Sequence, residues 1–312
     1  MIDCEEKQVN KALRHALSTS AFIYAMDPDL VQNSFSAQRD EKHIEVDHET
    51  SILMAEFLKD ASRMINEKPI DAIECYFSLM LDRHLLADTF MKYMKKEFWS
   101  VHGPYGRYVD PSSPEEIGRK NSVNGCREAV LFAKTVGAKV VVVHPGFSTQ
   151  YDVPRELRIN HSIESIKKMA DFAGEHGIKL AVEPMPKLEI GNTLEETIHI
   201  ILSVNHPNVG MNFDTNHLYP AADIPNLIKQ AGSLLTSIHI SDQDDIERHW
   251  LPFAGKVNWE DVLKALIDVE YQGPLVYETH VRDASSVDEV GEIVTDNYAK
   301  LMSLMPEGVT KG

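Results

Sequence analysis

The sequence predicts an α/β fold closed as a single (β/α)8 barrel. Three observations carry that expectation. Short β-branched runs alternate with amphipathic helical segments, at spacings of roughly 25–40 residues that suit βα units. The runs are continuous Val/Ile/Leu stretches, as in parallel strands buried on both faces. Eight of them can be placed along 312 residues, a length that one such barrel fills as a unit.

In chain order, FIYAM (22–26), DAIECYF (71–77) and FWSVHGPY (98–105) are the first three strands. AKVVVVHPG (138–146), IKLAVEPMP (178–186), VGMNFDTNH (209–217), LTSIHISD (235–242) and PLVYETH (274–280) are the other five. Residues 51–65 form a helix with Leu53, Phe57, Ala61 and Met64 on one face, and 82–96 form another. Ser113-Pro114-Glu115-Glu116 offers a serine N-cap with proline at the first helical position. Thr193-Leu194-Glu195-Glu196 is a capping box. Gly137, Gly177 and Gly273 sit where a helix end needs a left-handed residue. The segment 27–50, with Gln38 to His43, is a long loop at the C-terminal face of the strands. The tail 306–312 is expected to fray.

Composition narrows the class. A hydrophobic content of 43% excludes a mostly disordered chain. The three cysteines, Cys4, Cys75 and Cys126, form no CxxC pair, which excludes a thiolate zinc site and a disulfide scaffold. The N-terminus is acidic and polar, unlike a secretory signal, and no apolar run is long enough to span a bilayer. A cytoplasmic protein with no membrane contact is therefore expected. With 31 basic and 48 acidic residues the net charge is −17, which argues against charge-driven nucleic-acid binding. Neither GxGxxG after a strand nor GxxxxGK[ST] occurs, so dinucleotide and P-loop chemistry lack support. No linker or composition break divides the chain. Residues 1–312 are read as one domain with its core over about 20–305.

The chemistry is written in the residues that end the strands: Glu74, His102, His144, Glu183, Asp214 with His217, His239 with Asp242, and Glu278. In a parallel barrel these ends meet on one rim. Carboxylates packed there without counter-charge would repel, and some would have to keep their protons. A divalent cation removes that difficulty. Burying Glu183 after LAV, or Glu278 after PLVY, without a partner would be costly. For His102 and Glu74 taken singly, an ordinary structural role is the stronger reading.

GMNFDTNH, SIHISD, ERHWLPFAGKVNW, LAVEPMP and PLVYETH together resemble the xylose isomerase-like TIM-barrel superfamily. That superfamily joins sugar and sugar-phosphate isomerases and epimerases to endonuclease IV. The resemblance covers roughly residues 70–280. It implies one divalent ion held by Glu183, Asp214, His239 and Glu278. Mn²⁺, Mg²⁺ or Co²⁺ suit this oxygen-rich set, with Zn²⁺ also admissible. It implies an isomerase or epimerase of carbohydrate metabolism, working on a small carbohydrate by proton transfer through an enediolate. Glu183 and Glu278 would be the acid/base pair. His102, His144, Glu189, His217, Arg248, His249 and Trp250 would contact substrate. Trp250, Tyr105, Phe147 and Tyr219 could also wall the pocket, and Arg248, Arg155 and Arg107 could meet a phosphate. Asp245 stands where the ketose 3-epimerases carry an arginine.

The same superfamily supplies the alternative. His102 and His144, with Glu247-Arg248-His249 in place of an Asp-x-His pair, match most of the endonuclease IV ligand set for two or three ions. An endonuclease IV-like phosphodiesterase acting on abasic DNA thus stays open. A third reading is a catalytically inactive barrel used as a binding module. A homo-oligomer is compatible with each.

Overall fold

The computed structural model describes residues 13–36, 43–147, 151–186 and 188–305. Eight parallel strands close on themselves: β1 (His15–Ser18), β2 (Ala72–Tyr76), β3 (Glu97–His102), β4 (Val140–Val143), β5 (Lys179–Val182), β6 (Val209–Asp214), β7 (Leu235–Ile240) and β8 (Leu275–Tyr277). Sequential strands pair throughout, and β8 returns to β1 through His15 opposite Leu275. The helices that follow the strands are α1 (His48–Glu67), α2 (Arg83–Tyr93), α3 (Glu116–Val136), α4 (Arg155–Glu175), α5 (Leu194–Val204), α6 (Ile224–Ala231), α7 (Trp259–Asp268) and α8 (Val287–Met302). The predicted (β/α)8 barrel is therefore the observed fold. Among the described residues, no helix is long and apolar enough to cross a membrane.

Several local expectations change. FIYAM is not a strand: residues 19–22 form a 3-10 turn after β1, and the first strand is His15–Ser18. The β1 residues HALS lack β-branched side chains, so local propensity hides the strand, and pairing with β2 and β8 imposes it. On α1 the buried stripe runs through Met54, Leu58, Ala61 and Ile65, while Leu53 is exposed. Helix α3 begins at Glu116, with Ser113 instead accepting from the Glu115 N–H. The capping box holds, since Thr193 accepts from the Glu196 N–H at 3.1 Å. Gly137 and Gly177 are left-handed as expected. Before β8 that conformation falls on Glu270, and Gly273 instead makes room for the Tyr271 and Trp99 rings. Residues 38–42 and 306–312 lie outside the described residues.

Alternation along each strand sends one side-chain set to the helices and the other into the barrel. The outward set joins the large apolar core with the helices. The inward set begins with Ala16, Ala72 and Val276 packed on Trp99. It becomes polar toward the C-terminal ends of the strands, with Glu74, Ser100, Asn212 and Ser237 all fully buried. Two register shifts adjust this layering. Ile73 faces Phe98 but Glu74 faces Ser100, so Trp99 is an extra residue in β3. Met211 faces Leu235 but Asn212 faces Ser237, so Thr236 is extra in β7. Such bulges re-aim side chains beside sites. Gly210 gives Thr236 its room, because a Cβ there would meet Thr236 Oγ1.

Candidate metal centre

Glu183, Asp214, His239 and Glu278 end β5, β6, β7 and β8, and all four are buried. Each can offer one donor atom such that the four donors lie within 4.8 Å of one another. His239 Nδ1 is 3.0 Å from Glu183 Oε1 and 2.8 Å from Glu278 Oε2. Glu183 Oε2 turns the other way, 3.4 Å from His102 Nε2 and 3.3 Å from His144 Nε2. His102, His144 and Glu183 thus make a second donor group, and His217, Glu247 and His249 a third. In the third group Glu247 Oε1 is 3.4 Å from His249 Nε2 and 4.0 Å from His217 Nε2.

The cluster's electrostatics favour a cation. Burial pushes the Glu183 carboxyl up, but the His239 charge and the His102 and His144 imidazoles outweigh it and hold it well below its usual range. Burial likewise raises Glu278, and His239 again reverses the shift. Asp214 has no such rescue. Burial raises it to about 7; His217 opposes that rise, and the Glu278 and Glu183 charges add to it. Burial would lower His239, yet Glu74, Glu278 and Glu183 together hold it well above its ordinary value. Without a cation, protons on His239 and Asp214 supply the positive charge the cluster requires. A divalent ion can take the place of those protons.

Four of the five histidines are oriented as metal ligands usually are, with the far ring nitrogen committed elsewhere, while His144 Nδ1 makes no hydrogen bond. His102 Nδ1 donates to the Gly103 carbonyl at 3.0 Å, His217 Nδ1 to Pro184 at 2.9 Å and His249 Nδ1 to the Glu278 carbonyl at 3.2 Å. Each leaves Nε2 facing its carboxylate group. His239 is reversed, with Nε2 donating to Glu74 Oε2 at 2.9 Å and Nδ1 facing the cluster. Glu183 Oε2, Asp214 Oδ2 and Glu278 Oε2 are buried beside imidazole nitrogens yet accept no well-aligned hydrogen bond. Orphaned acceptors beside correctly turned imidazoles fit a divalent ion.

Other predicted residues stand further out. Glu189 is half-buried at the mouth, where burial and the Asp110 charge raise its carboxyl to about 8. Arg248 pairs with Asp244 at 2.7 Å and lies over the Trp250 ring, so these two form a stacked pair at the rim. Arg155 is tied to Glu196, and Arg107 lies over Tyr108. Asp245 turns from the centre to accept from the Ala221 N–H and pair with Lys256. Asp242, the acid of H-x-x-D, accepts from the Trp259 indole and the Val257 N–H, bracing the loop after β7. Tyr105 lies 4.4 Å from the His144 ring and 5.9 Å from Phe147.

Four more residues matter, of which the sequence marks Glu74 only as a strand-end residue and Glu247 only as part of the alternative ligand set. Glu74 backs His239. Tyr76 stacks on His102 at 4.1 Å and donates to Glu278 Oε1 at 3.1 Å. Asn216 Oδ1 accepts from the N–H groups of Arg248 and His249, fixing the third group's loop. Glu247 supplies that group's carboxylate. In the sequence Glu74 stands out only as a glutamate directly after Ala72 and Ile73 at a strand end.

Comparison with known proteins agrees with this architecture. The family model described as xylose isomerase-like TIM barrel matches residues 65–301. The inosose isomerase of Bacillus subtilis is 27% identical over 168 residues, 50% of this chain and 59% of that protein. The D-psicose 3-epimerase of Agrobacterium fabrum is 29% identical over 192 residues, 57% of this chain and 65% of that protein. Both sequence matches thus span less than two thirds of the relative's length. The crystal structure of IOLI protein with a bound zinc atom superposes with a TM-score of 0.71 at 16% identity, covering 95% of this chain and 100% of that one. From the match over most of its length, the chain belongs to the xylose isomerase-like TIM-barrel family.

Proposed function

We propose that the chain is a divalent-metal-dependent isomerase or epimerase of a sugar, sugar phosphate or inosose, working as one domain. The observation that carries this reading is the convergence of Glu183, Asp214, His239 and Glu278 on one buried point. The inosose isomerase and D-psicose 3-epimerase among its relatives support it. A divalent ion held by those four residues would polarise a substrate carbonyl and the hydroxyl beside it. Glu183 takes the proton from the carbon next to the carbonyl, leaving the enediolate form of the substrate. Glu183 returns that proton itself, or Glu278, whose Oε1 accepts from the Tyr76 hydroxyl, returns one with which it enters the cycle protonated. Return to the opposite face of the same carbon inverts it. Return to the neighbouring carbon interconverts aldose and ketose. His102, His144, His217 and Glu189 line the approach and bind hydroxyl groups. Arg248, His249 and Trp250 meet the substrate's far end.

A second reading has its own support. Glu183 also belongs to the His102–His144 group, and His217, Glu247 and His249 form another beside it. Three adjacent donor groups suit two or three ions and phosphodiester hydrolysis.

One assay separates the two. The protein with added Mn²⁺ is incubated in deuterated water with free and phosphorylated ketoses, aldoses and inososes, and in parallel with abasic-site DNA. The first reading predicts deuterium uptake next to a carbonyl, abolished by chelation. DNA cleavage without deuterium uptake would replace it with the second.

A further inference from the structure

We propose that Glu74 is the positioning residue of this centre: its Oε2 takes the His239 Nε2–H and so turns Nδ1 toward Glu183, Asp214 and Glu278. The inference rests on the metal-binding reading above and adds a residue to it. Glu74 is fully buried inside the barrel, one layer below the cluster. Its Oε2 accepts from His239 at 2.9 Å and from Ser100 Oγ at 2.7 Å, while Oε1 has no partner. A carboxyl group sealed in this way is costly unless a strong partner holds it. His239 is that partner.

The backbone makes the pairing. The register shift after Ile73 brings Glu74 opposite Ser100, and the shift after Met211 brings Asp214 opposite His239. The two bulges therefore bring Glu74 and His239 into contact across the barrel. The other imidazoles differ. His102, His217 and His249 are each backed by a main-chain carbonyl. Only His239, among these four, is backed by an acidic side chain; the His217 Nδ1, 3.2 Å from Asp214 Oδ2, is committed to the Pro184 carbonyl. A carboxylate behind a ligating imidazole fixes its tautomer and strengthens its donor nitrogen. Glu74 thus makes the His239 group the tightest of the three, without touching substrate or ion.

The test titrates the metal-free full-length chain with Mn²⁺, for wild type, Glu74→Gln and Glu74→Met. Methionine keeps the volume and removes the acceptor; glutamine keeps an acceptor without the charge. Mn²⁺ affinity should fall roughly tenfold for glutamine and roughly 100-fold for methionine, the range that such backing groups command. With Zn²⁺ bound, ¹⁵N-histidine NMR should show a slowly exchanging His239 Nε2–H in wild type and Glu74→Gln, and its loss in Glu74→Met. A purely space-filling Glu74 would shift thermal stability and leave both readouts unmoved. If the methionine variant does not fold, the glutamine variant carries the test. Wild-type affinity in either folded variant overturns the role of Glu74 and leaves the metal reading standing. Failure of wild type itself to bind Mn²⁺ overturns both.

Discussion

His15 and His239 are both sealed from solvent, one at the start of β1 and the other near the end of β7, and their surroundings act on them in opposite senses. His15 lies stacked on Tyr298 at 4.3 Å and edge-on to Tyr277 at 5.0 Å. Burial there lowers its pKa to about 4, so it stays neutral. His239 is buried as completely, yet Glu74, Glu278 and Glu183 overcome the desolvation and keep it charged in the cation-free state. The two rings show that burial alone does not make a site. The mouth of the barrel concentrates unpaired acceptors, and the opposite end closes over Ala16, Ala72, Val276 and Trp99. One end gathers charge; the other excludes it.

Substitution sharpens that contrast most strongly through activity. On the proposed mechanism, Glu278→Gln lowers turnover by on the order of 10³-fold, as expected for loss of a general acid/base. His15→Phe leaves turnover of the folded enzyme unchanged. Steady-state kinetics on the substrate found in the deuterium assay checks both. Full activity in Glu278→Gln would remove the assigned proton donor.

A smaller effect separates the ends through pH. His15 titrates near 6.5 when unfolded and about 4 when folded. Its neutral form therefore stabilises the fold fully above pH 6.5, and that contribution is lost as pH falls toward 4. The size is about 3 kcal/mol, from roughly 2.5 pKa units. Denaturant unfolding from pH 7 to 4 should show wild type losing this much more than His15→Phe. Parallel curves for the two would contradict the assignment of a neutral buried ring.

The sequence made the mouth more legible than the barrel wall. Glu183, Asp214, His239 and Glu278 each follow an apolar run, so a buried charged residue at a strand end stood out against its neighbours. His217 and His249 follow polar residues, and their roles at the centre come only from the family resemblance. The first strand could not be located, because HALS carries no β-branched residue while the apolar FIYAM beside it folds as turns. Leu53 and Met54 are adjacent and both apolar, so helical periodicity left the buried stripe of α1 uncertain by one position. The role of Glu74 was unreadable for a deeper reason. It depends on extra residues in β3 and β7 and on which imidazole nitrogen faces which oxygen, and neither is a property of local sequence.

The most direct test of the shared-ion claim is the anomalous scattering of crystals of the wild-type protein grown with Mn²⁺. The account predicts a strong peak bounded by Glu183, Asp214, Glu278 and the Nδ1 of His239. No peak at saturating Mn²⁺, or a peak that these four do not surround, would contradict it.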